Sequence, residues 1–272
     1  MSGIYWLASY PKSGNTWLRL LLQSYRRGKA VVDINDMAED GWSINSRTQF
    51  DEQIGLAASD LTDAEILAWW PSALKKWAQD HAEPAYLKTH AMCGPWEFTL
   101  GAVYLVRDPR DVALSLARHI DRSIDAAIEM MGTRNKLMSR SRYRLQPRLL
   151  ESWGSWSQNV ESWLAPMPFP VHVVSYESMR ADPAAVLSGL LPVLGFPVDP
   201  AAVNVAVSAT TLETLRAQEA EKGFVEAVGP NRFFGEGRVQ GWRDRLTPAQ
   251  VAQIEADHGP MMRRLGYLPA DH

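Results

Sequence analysis

Hydrophobic positions fall into two alternating patterns along the chain. Short unbroken apolar runs, the signature of strands buried on both faces, occur at Ile4–Ser9, Ala85–His90, Gly101–Arg107 and Val171–Tyr176. Between them, apolar residues recur at helical spacing. Trp17, Leu18, Leu21, Leu22 and Tyr25 form one such face, closed by Arg26, Arg27 and a glycine stop at Gly28. A second helix starts at Thr62-Asp63-Ala64-Glu65 and carries Ile66, Leu67, Trp69 and Trp70, with Pro71 expected to interrupt it. Further helices are predicted over Val112–His119, Trp153–Leu164 and residues 183–194, 200–207, 211–221 and 248–264, whereas residues 31–60 read as polar and irregular. Strands alternating with helices predict an α/β fold, a P-loop-like central parallel sheet flanked by helices. No linker or shift in composition divides residues 1–272, so a single domain is expected.

Composition narrows the function classes. A chain of 272 residues that is 46% hydrophobic and 22% charged can bury a sizeable core and is not a disordered chain. Its net charge of -3 argues against a surface built for nucleic acid. One cysteine, Cys93, excludes an intramolecular disulfide framework and a multi-thiolate metal site. The apolar start lacks a basic region and is too short for a signal peptide, and no run reaches the roughly 18 apolar residues of a membrane span. A cytoplasmic protein is therefore expected. The segment Arg134–Arg148 stands apart, with six cations (Arg134, Lys136, Arg140, Arg142, Arg144, Arg148) and no carboxylate. It reads as part of a mobile surface lid over residues 118–150, or as a basic cap over an anionic ligand. Only Tyr143 interleaves the cations, which disfavours a nucleic-acid module.

The candidate chemistry begins where the first strand ends. Tyr10-Pro11-Lys12-Ser13-Gly14-Asn15-Thr16-Trp17 is a turn-forming loop between strand and helix. In that layout backbone N–H groups and a lysine converge on an anion. It departs from the nucleotide-triphosphate motif G-x-x-x-x-G-K-[ST], because the first glycine is absent and the lysine precedes Ser-Gly. Taken alone, Lys-Ser-Gly reads equally as a strand–helix turn with an incidental surface lysine.

The whole eight-residue string resembles the 5′-phosphosulfate loop of the cytosolic-type sulfotransferases, which use 3′-phosphoadenosine-5′-phosphosulfate (PAPS). Four further matches follow in that family's order: Leu87-Lys88-Thr89-His90, the stretch Val103–Ser115, Val174–Met179 and Gly237–Asp244. Together they span nearly the whole chain. The resemblance implies His90 as catalytic base and Lys12 beside the bridging oxygen of the donor. It brings Lys88 to the sulfonate, and Ser115 to both the 3′-phosphate and the catalytic lysine. It further implies that Ser13, Gly14, Asn15 and Thr16 hold the 5′-phosphate and that Arg107 grips the 3′-phosphate. Trp17 and Tyr176 would contact adenine, with Thr210 and Leu212 a looser match to the adenine segment. Gly237 and Arg238 close the carboxy-terminal element.

One departure lies in Gly235-Glu236-Gly237, which stands where the family writes Arg-Lys-Gly and so places an acid where a cation is expected. Arg238 is the natural substitute and Arg232 the second; this departure points to a bacterial branch resembling natural-product sulfotransferases. Arg110 reads as a surface ion-pair partner. The implied reaction moves a sulfonate from PAPS to a hydroxyl of a small-molecule acceptor, leaving adenosine-3′,5′-bisphosphate (PAP), with no metal, nucleic acid or membrane span; a homodimer is compatible with it. A P-loop-type kinase and a non-catalytic PAP-binding protein are the competing readings. The acceptor itself carries no motif, although Trp42, Trp69, Trp70, Trp77 and Trp96 hint at an apolar or ring-bearing one.

Overall fold

Strand ends decide where this molecule can act, so the sheet comes first. The computed structural model describes residues 3–37, 45–94, 96–139, 148–227 and 230–270. In chain order the elements are β1 (Ile4–Ser9), α1 (Asn15–Arg27), α2 (Arg47–Ile54), α3 (Asp63–Gln79), β2 (Ala85–Thr89), β3 (Thr99–Val106), α4 (Pro109–Ile120) and α5 (Ile124–Gly132). They continue with β4 (Leu137–Met138), β5 (Glu151–Ser152), α6 (Trp156–Leu164), β6 (Val171–Ser175), α7 (Tyr176–Ala181), α8 (Pro183–Val193), α9 (Pro200–Ala209), α10 (Leu212–Lys222) and α11 (Pro248–Arg264).

The main sheet has the order β2-β1-β3-β6 and every pairing is parallel. Parallel strands deliver their carboxyl ends to one edge, and β1 lies between β2 and β3, each reached by its own crossover. A crevice at that edge is where ligands of open α/β sheets bind. Tyr10, His90, Arg107 and Tyr176, the residues that follow the four strands, are therefore gathered on one rim. The parallel sheet is flanked by helices, as the sequence pattern predicts.

Several helices are fixed by their first turns. Asp108 accepts from the Arg110 backbone N–H with Pro109 at the first helical position, starting α4 directly after β3. Thr62 and Glu65 form a reciprocal capping box at α3. Pro71 does not interrupt that helix, which runs on to Gln79. Buried Ile66, Ala73, Leu74, Trp77 and Ala78 pack along it, and this burial outweighs the roughly 3 kcal/mol that an interior proline costs. The region read as irregular holds α2, capped by Ser46 on the Gln49 N–H. Phe50 is its single buried residue, so the helix leaves no apolar periodicity.

Part of the expected lid belongs to the core. Ala127, Ile128 and Met131 of α5 are buried in the main cluster, because their i, i+1, i+4 spacing makes an apolar face. Beyond it, β4 and β5 pair antiparallel, while Arg140, Arg142, Tyr143 and Arg144 lie outside the described residues, as does Trp42. Trp77 is in the core, Trp70 and Trp96 pack against it, and Trp69 is exposed, so these tryptophans serve packing or surface. Among the described residues, no helix is long and apolar enough to cross a membrane.

Helix α6 braces the site from behind. Trp163 is fully buried, stacks on Tyr104 with centroids 5.9 Å apart, and donates its indole N–H to the Ala91 carbonyl at 3.0 Å. Asn159 accepts from the Tyr104 hydroxyl at 2.9 Å and donates to the carbonyls of His90 and Trp153. Trp163→Ala leaves a cavity and an orphaned carbonyl beside His90. It is expected to destabilise the fold by about 3–5 kcal/mol, read as a lowered midpoint in urea.

Candidate active site

The loop after β1 turns twice through left-handed backbone, with φ 68° at Lys12 and 102° at Gly14. A Cβ at Gly14 would lie 2.7 Å from the Tyr176 ring, so both the backbone angle and the space demand glycine there. Helix α1 begins immediately after, and its Asn15, Thr16 and Trp17 amides are among the orphan donors of a helix amino terminus. The Asn15 side chain is turned the other way. It donates to the Leu7 carbonyl at 2.7 Å and to Ser9 Oγ at 3.3 Å, fastening the loop to β1. Ser13 is buried and does not line the cleft; its Oγ has no partner. For these two residues the backbone, not the side chain, is what the site can use.

A cleft of about 1010 Å³ opens along this edge, and every other sequence-predicted site residue except Arg232 lines it. His90 follows β2, and its Nδ1 stands 2.8 Å from the Ser9 carbonyl. A carbonyl only accepts, so Nδ1 carries the proton and Nε2 keeps its lone pair. Glu151, buried, accepts from the His90 backbone N–H and from the Trp153 indole, both at 2.9 Å. Trp153 in turn presents its edge to the imidazole at 5.9 Å. Burial first, and the Lys88 ammonium second, push the His90 pKa down to about 3, so the ring is neutral at ordinary pH.

Lys12 lies with Nζ 3.7 Å above the Phe233 ring. Burial, then Arg118, Lys88 and Arg107, lower its pKa to about 7. Lys88 reaches Glu226 at 3.2 Å, and the same carboxylate takes Arg19 at 2.7 Å and Thr16 Oγ1 at 3.5 Å. Burial raises the Glu226 pKa, but Lys88 and Arg19 outweigh it and bring the value to about 2.

At the far end, Arg107 donates to the carbonyls of Lys12 and Arg238, both at 3.1 Å, and stacks 4.2 Å from the Tyr176 ring. Its Nε is buried with no partner. Trp17 meets Tyr176 edge-on at 6.3 Å, and its indole N–H is likewise buried and unpaired. Thr210 spends its hydroxyl on the Ala206 carbonyl, while Leu212 and Tyr176 leave no room for a side chain at Gly237. Asp111 accepts from the backbone N–H groups of Gln240 and Trp242, holding the 237–242 segment against α4.

The arginines differ in what surrounds them. Arg110 is buried: it pairs with Asp108 and Glu255 and lies 4.0 Å from the Trp242 ring, because α11 covers the start of α4. Arg232 is exposed and does not line the cleft, whereas Arg238 lines it, with its guanidinium at Asp244 and Glu236. Arg118, one helical turn beyond Ser115, also lines the cleft. Its guanidinium lies directly against Gly235, where any Cβ would collide with it, and it donates no hydrogen bond to a described residue. Burial and the neighbouring Arg245 and Arg107 lower its pKa, the mark of a cation cluster short of anions. Sequence reasoning missed Arg118, His119, Arg19, Glu151 and Glu226. Only the first two carried a signal, their i+3 and i+4 spacing from Ser115.

The sulfotransferase-domain family model matches residues 4–266. Among curated relatives, cytosolic sulfotransferase 13 of Arabidopsis thaliana is 26% identical over 267 residues, covering 92% of this chain and 74% of that protein. Sulfotransferase 1B1 of Mus musculus is 24% identical over 271 residues, covering 92% and 79%. Two solved structures share the fold. Retinol dehydratase in complex with androsterone and the inactive cofactor PAP has a TM-score of 0.61 at 17% identity, covering 99% of this chain and 82% of that one. Mouse sulfotransferase SULT7A1 complexed with PAP has a TM-score of 0.59 at 18% identity, covering 98% and 85%.

Proposed function

The chain belongs to the sulfotransferase-domain family, and from that premise we propose that it moves a sulfonate from PAPS to a hydroxyl of a small-molecule or natural-product acceptor. One observation carries the mechanism: the Ser9 carbonyl fixes His90 with its Nε2 lone pair free, in the same cleft as Lys12, Lys88 and the amide-rich loop.

The cleft fits the donor at both ends. Unpaired buried donors at Arg107 and Trp17 await acceptor atoms, and backbone rather than Cβ faces the cleft at Gly14 and Gly237. The amides of Ser13 to Thr16 with the Thr16 hydroxyl bind the 5′-phosphate. Arg107 and Ser115 bind the 3′-phosphate, and Arg118 takes the place of the missing Arg-Lys pair, reaching it from α4 across the bare backbone of Gly235. Trp17, Tyr176 and Leu212 flank the adenine. Residues 1–272 act as one domain in this reading.

The transfer is an in-line displacement. The acceptor hydroxyl gives its proton to His90 Nε2 as its oxygen bonds to sulfur. The bond from sulfur to the phosphate oxygen breaks with its electron pair left on that oxygen, where Lys12 meets the growing charge. Lys88 holds the sulfonate oxygens in line.

Titration calorimetry with PAP and with ATP and Mg²⁺ tests the donor assignment. PAP is expected to bind and ATP to bind more weakly; tight ATP binding with no response to PAP overturns it. Arg118→Ala is expected to weaken PAP binding about tenfold to a hundredfold, the value of a hydrogen bond to a charged group. An unchanged affinity removes Arg118 from the 3′-phosphate site.

A further inference from the structure

The cleft already holds an anion of its own. Glu226 sits on the turn that follows α10, and its backbone neighbours are pinned: Val225 N–H donates to Asn35 Oδ1 at 2.9 Å, and Asn35 Nδ2 donates to the Gly223 carbonyl at 3.1 Å. Phe224 is buried beside them. From this tether the carboxylate reaches Arg19 on α1 at 2.7 Å and Lys88 at the end of β2 at 3.2 Å. Thr16 Oγ1, at 3.5 Å, is the longest of its contacts. Its weight thus lies on Arg19 and on Lys88, which stands two positions before His90 at the end of β2.

Resting on the donor assignment made above, we infer that Glu226 is a specificity-determining residue that occupies the sulfonate subsite and discriminates between the two forms of the nucleotide. PAPS carries a sulfonate beyond its 5′-phosphate, and that group needs Lys88. The sulfonate brings a second negative charge to the ammonium that Glu226 already faces at 3.2 Å, and repulsion between the two anions favours departure of the carboxylate. PAP ends at the 5′-phosphate: it takes the Thr16 hydroxyl, the longest of the carboxylate's contacts, and leaves the pairs with Lys88 and Arg19 in place. The side chain can leave by rotating about its own bonds while Asn35 keeps the backbone in place. The carboxylate is ionised throughout, since Lys88 and Arg19 outweigh the effect of burial and bring its pKa to about 2. It therefore competes at every working pH. After transfer the sulfonate departs on the acceptor oxygen, and Glu226 returns to Lys88.

The test compares PAPS and PAP affinities, by calorimetry without acceptor, for the wild type, Glu226→Gln and Glu226→Ala. Gln keeps the shape and removes the charge, and Ala removes the reach; a thermal melt confirms that each is folded. Both variants are expected to bind PAPS about tenfold more tightly, with PAP affinity within about twofold of wild type. Unchanged or weaker PAPS binding in both variants overturns the inference. Equal tightening of PAPS and PAP also overturns it, because the carboxylate would then compete for the phosphate loop rather than the sulfonate subsite. A wild type that binds neither nucleotide rejects the donor assignment itself, and this inference with it.

Discussion

His90→Ala is expected to lower kcat by about 10³-fold while PAP affinity stays within a few-fold of wild type, the pattern of a lost general base. PAP has no group for Nε2 to meet, so binding of the product nucleotide does not depend on the imidazole. The pH profile separates a base from a merely structural ring. Burial and Lys88 hold the His90 pKa at about 3, so protonation of the free enzyme is disfavoured. The sign follows directly: the neutral, proton-accepting form persists as pH falls, and kcat/KM should stay level through about pH 6.5, the ordinary histidine value. An acidic limb at that value would contradict the burial that defines the ring's environment. Full turnover by His90→Ala would remove it from the base role altogether. The bound donor adds negative charge beside Lys88, which moves the His90 pKa upward towards a better proton acceptor.

The parts of this site that stand in the sequence are those attached to strand ends. Ile4–Ser9 and Thr99–Val106 are nearly continuous apolar runs because both of their faces are covered, and their short length between helical patterns marks them as parallel strands. Once the strands are parallel, the residues just past them must share one edge. The loop at 10–17, His90, Arg107 and Tyr176 converge for that reason alone. Helix α2 shows the opposite case, since one buried phenylalanine cannot reveal a helical period.

Residues that arrive from elsewhere leave no such local pattern. Glu226 enters on a turn after α10, a polar residue in a polar stretch, and its meeting with Lys88 spans 138 positions of sequence. Arg110 and Arg118 share a helix, yet one is sealed beneath α11 and the other faces the cleft. Which is which depends on how α11 and the Gly235 segment pack, not on local pattern. Asn15 sits where the family resemblance places a phosphate contact, but the Leu7 carbonyl claims its side chain. A motif locates a loop; the hydrogen bonds within it decide which atoms remain for a ligand.

Lys12→Ala is expected to lower kcat by about 10²–10³-fold, the range for removing one preorganised group that meets developing negative charge. Its backbone cost is small, since alanine and lysine both carry a Cβ at φ 68°. The stronger test is protonic. Burial, Arg118, Lys88 and Arg107 bring the Lys12 pKa to about 7 in the free protein, so above that pH the amine is largely neutral. A donor that places phosphate oxygens beside it restores the charge and raises the pKa. Nucleotide binding at pH 8, where the phosphates of PAP are already ionised, must therefore take up about one proton through Lys12, a contribution that vanishes at pH 6, where Lys12 is already charged. Calorimetry of PAP in buffers of different ionisation enthalpy measures this uptake, and Lys12→Ala should abolish it. The same linkage sets kcat/KM to decline above about pH 7, while kcat, which reports the loaded enzyme, holds to higher pH. If PAP binds at pH 8 with heats independent of buffer, the lysine is charged before the nucleotide arrives. The cation cluster then does not depress its pKa to about 7.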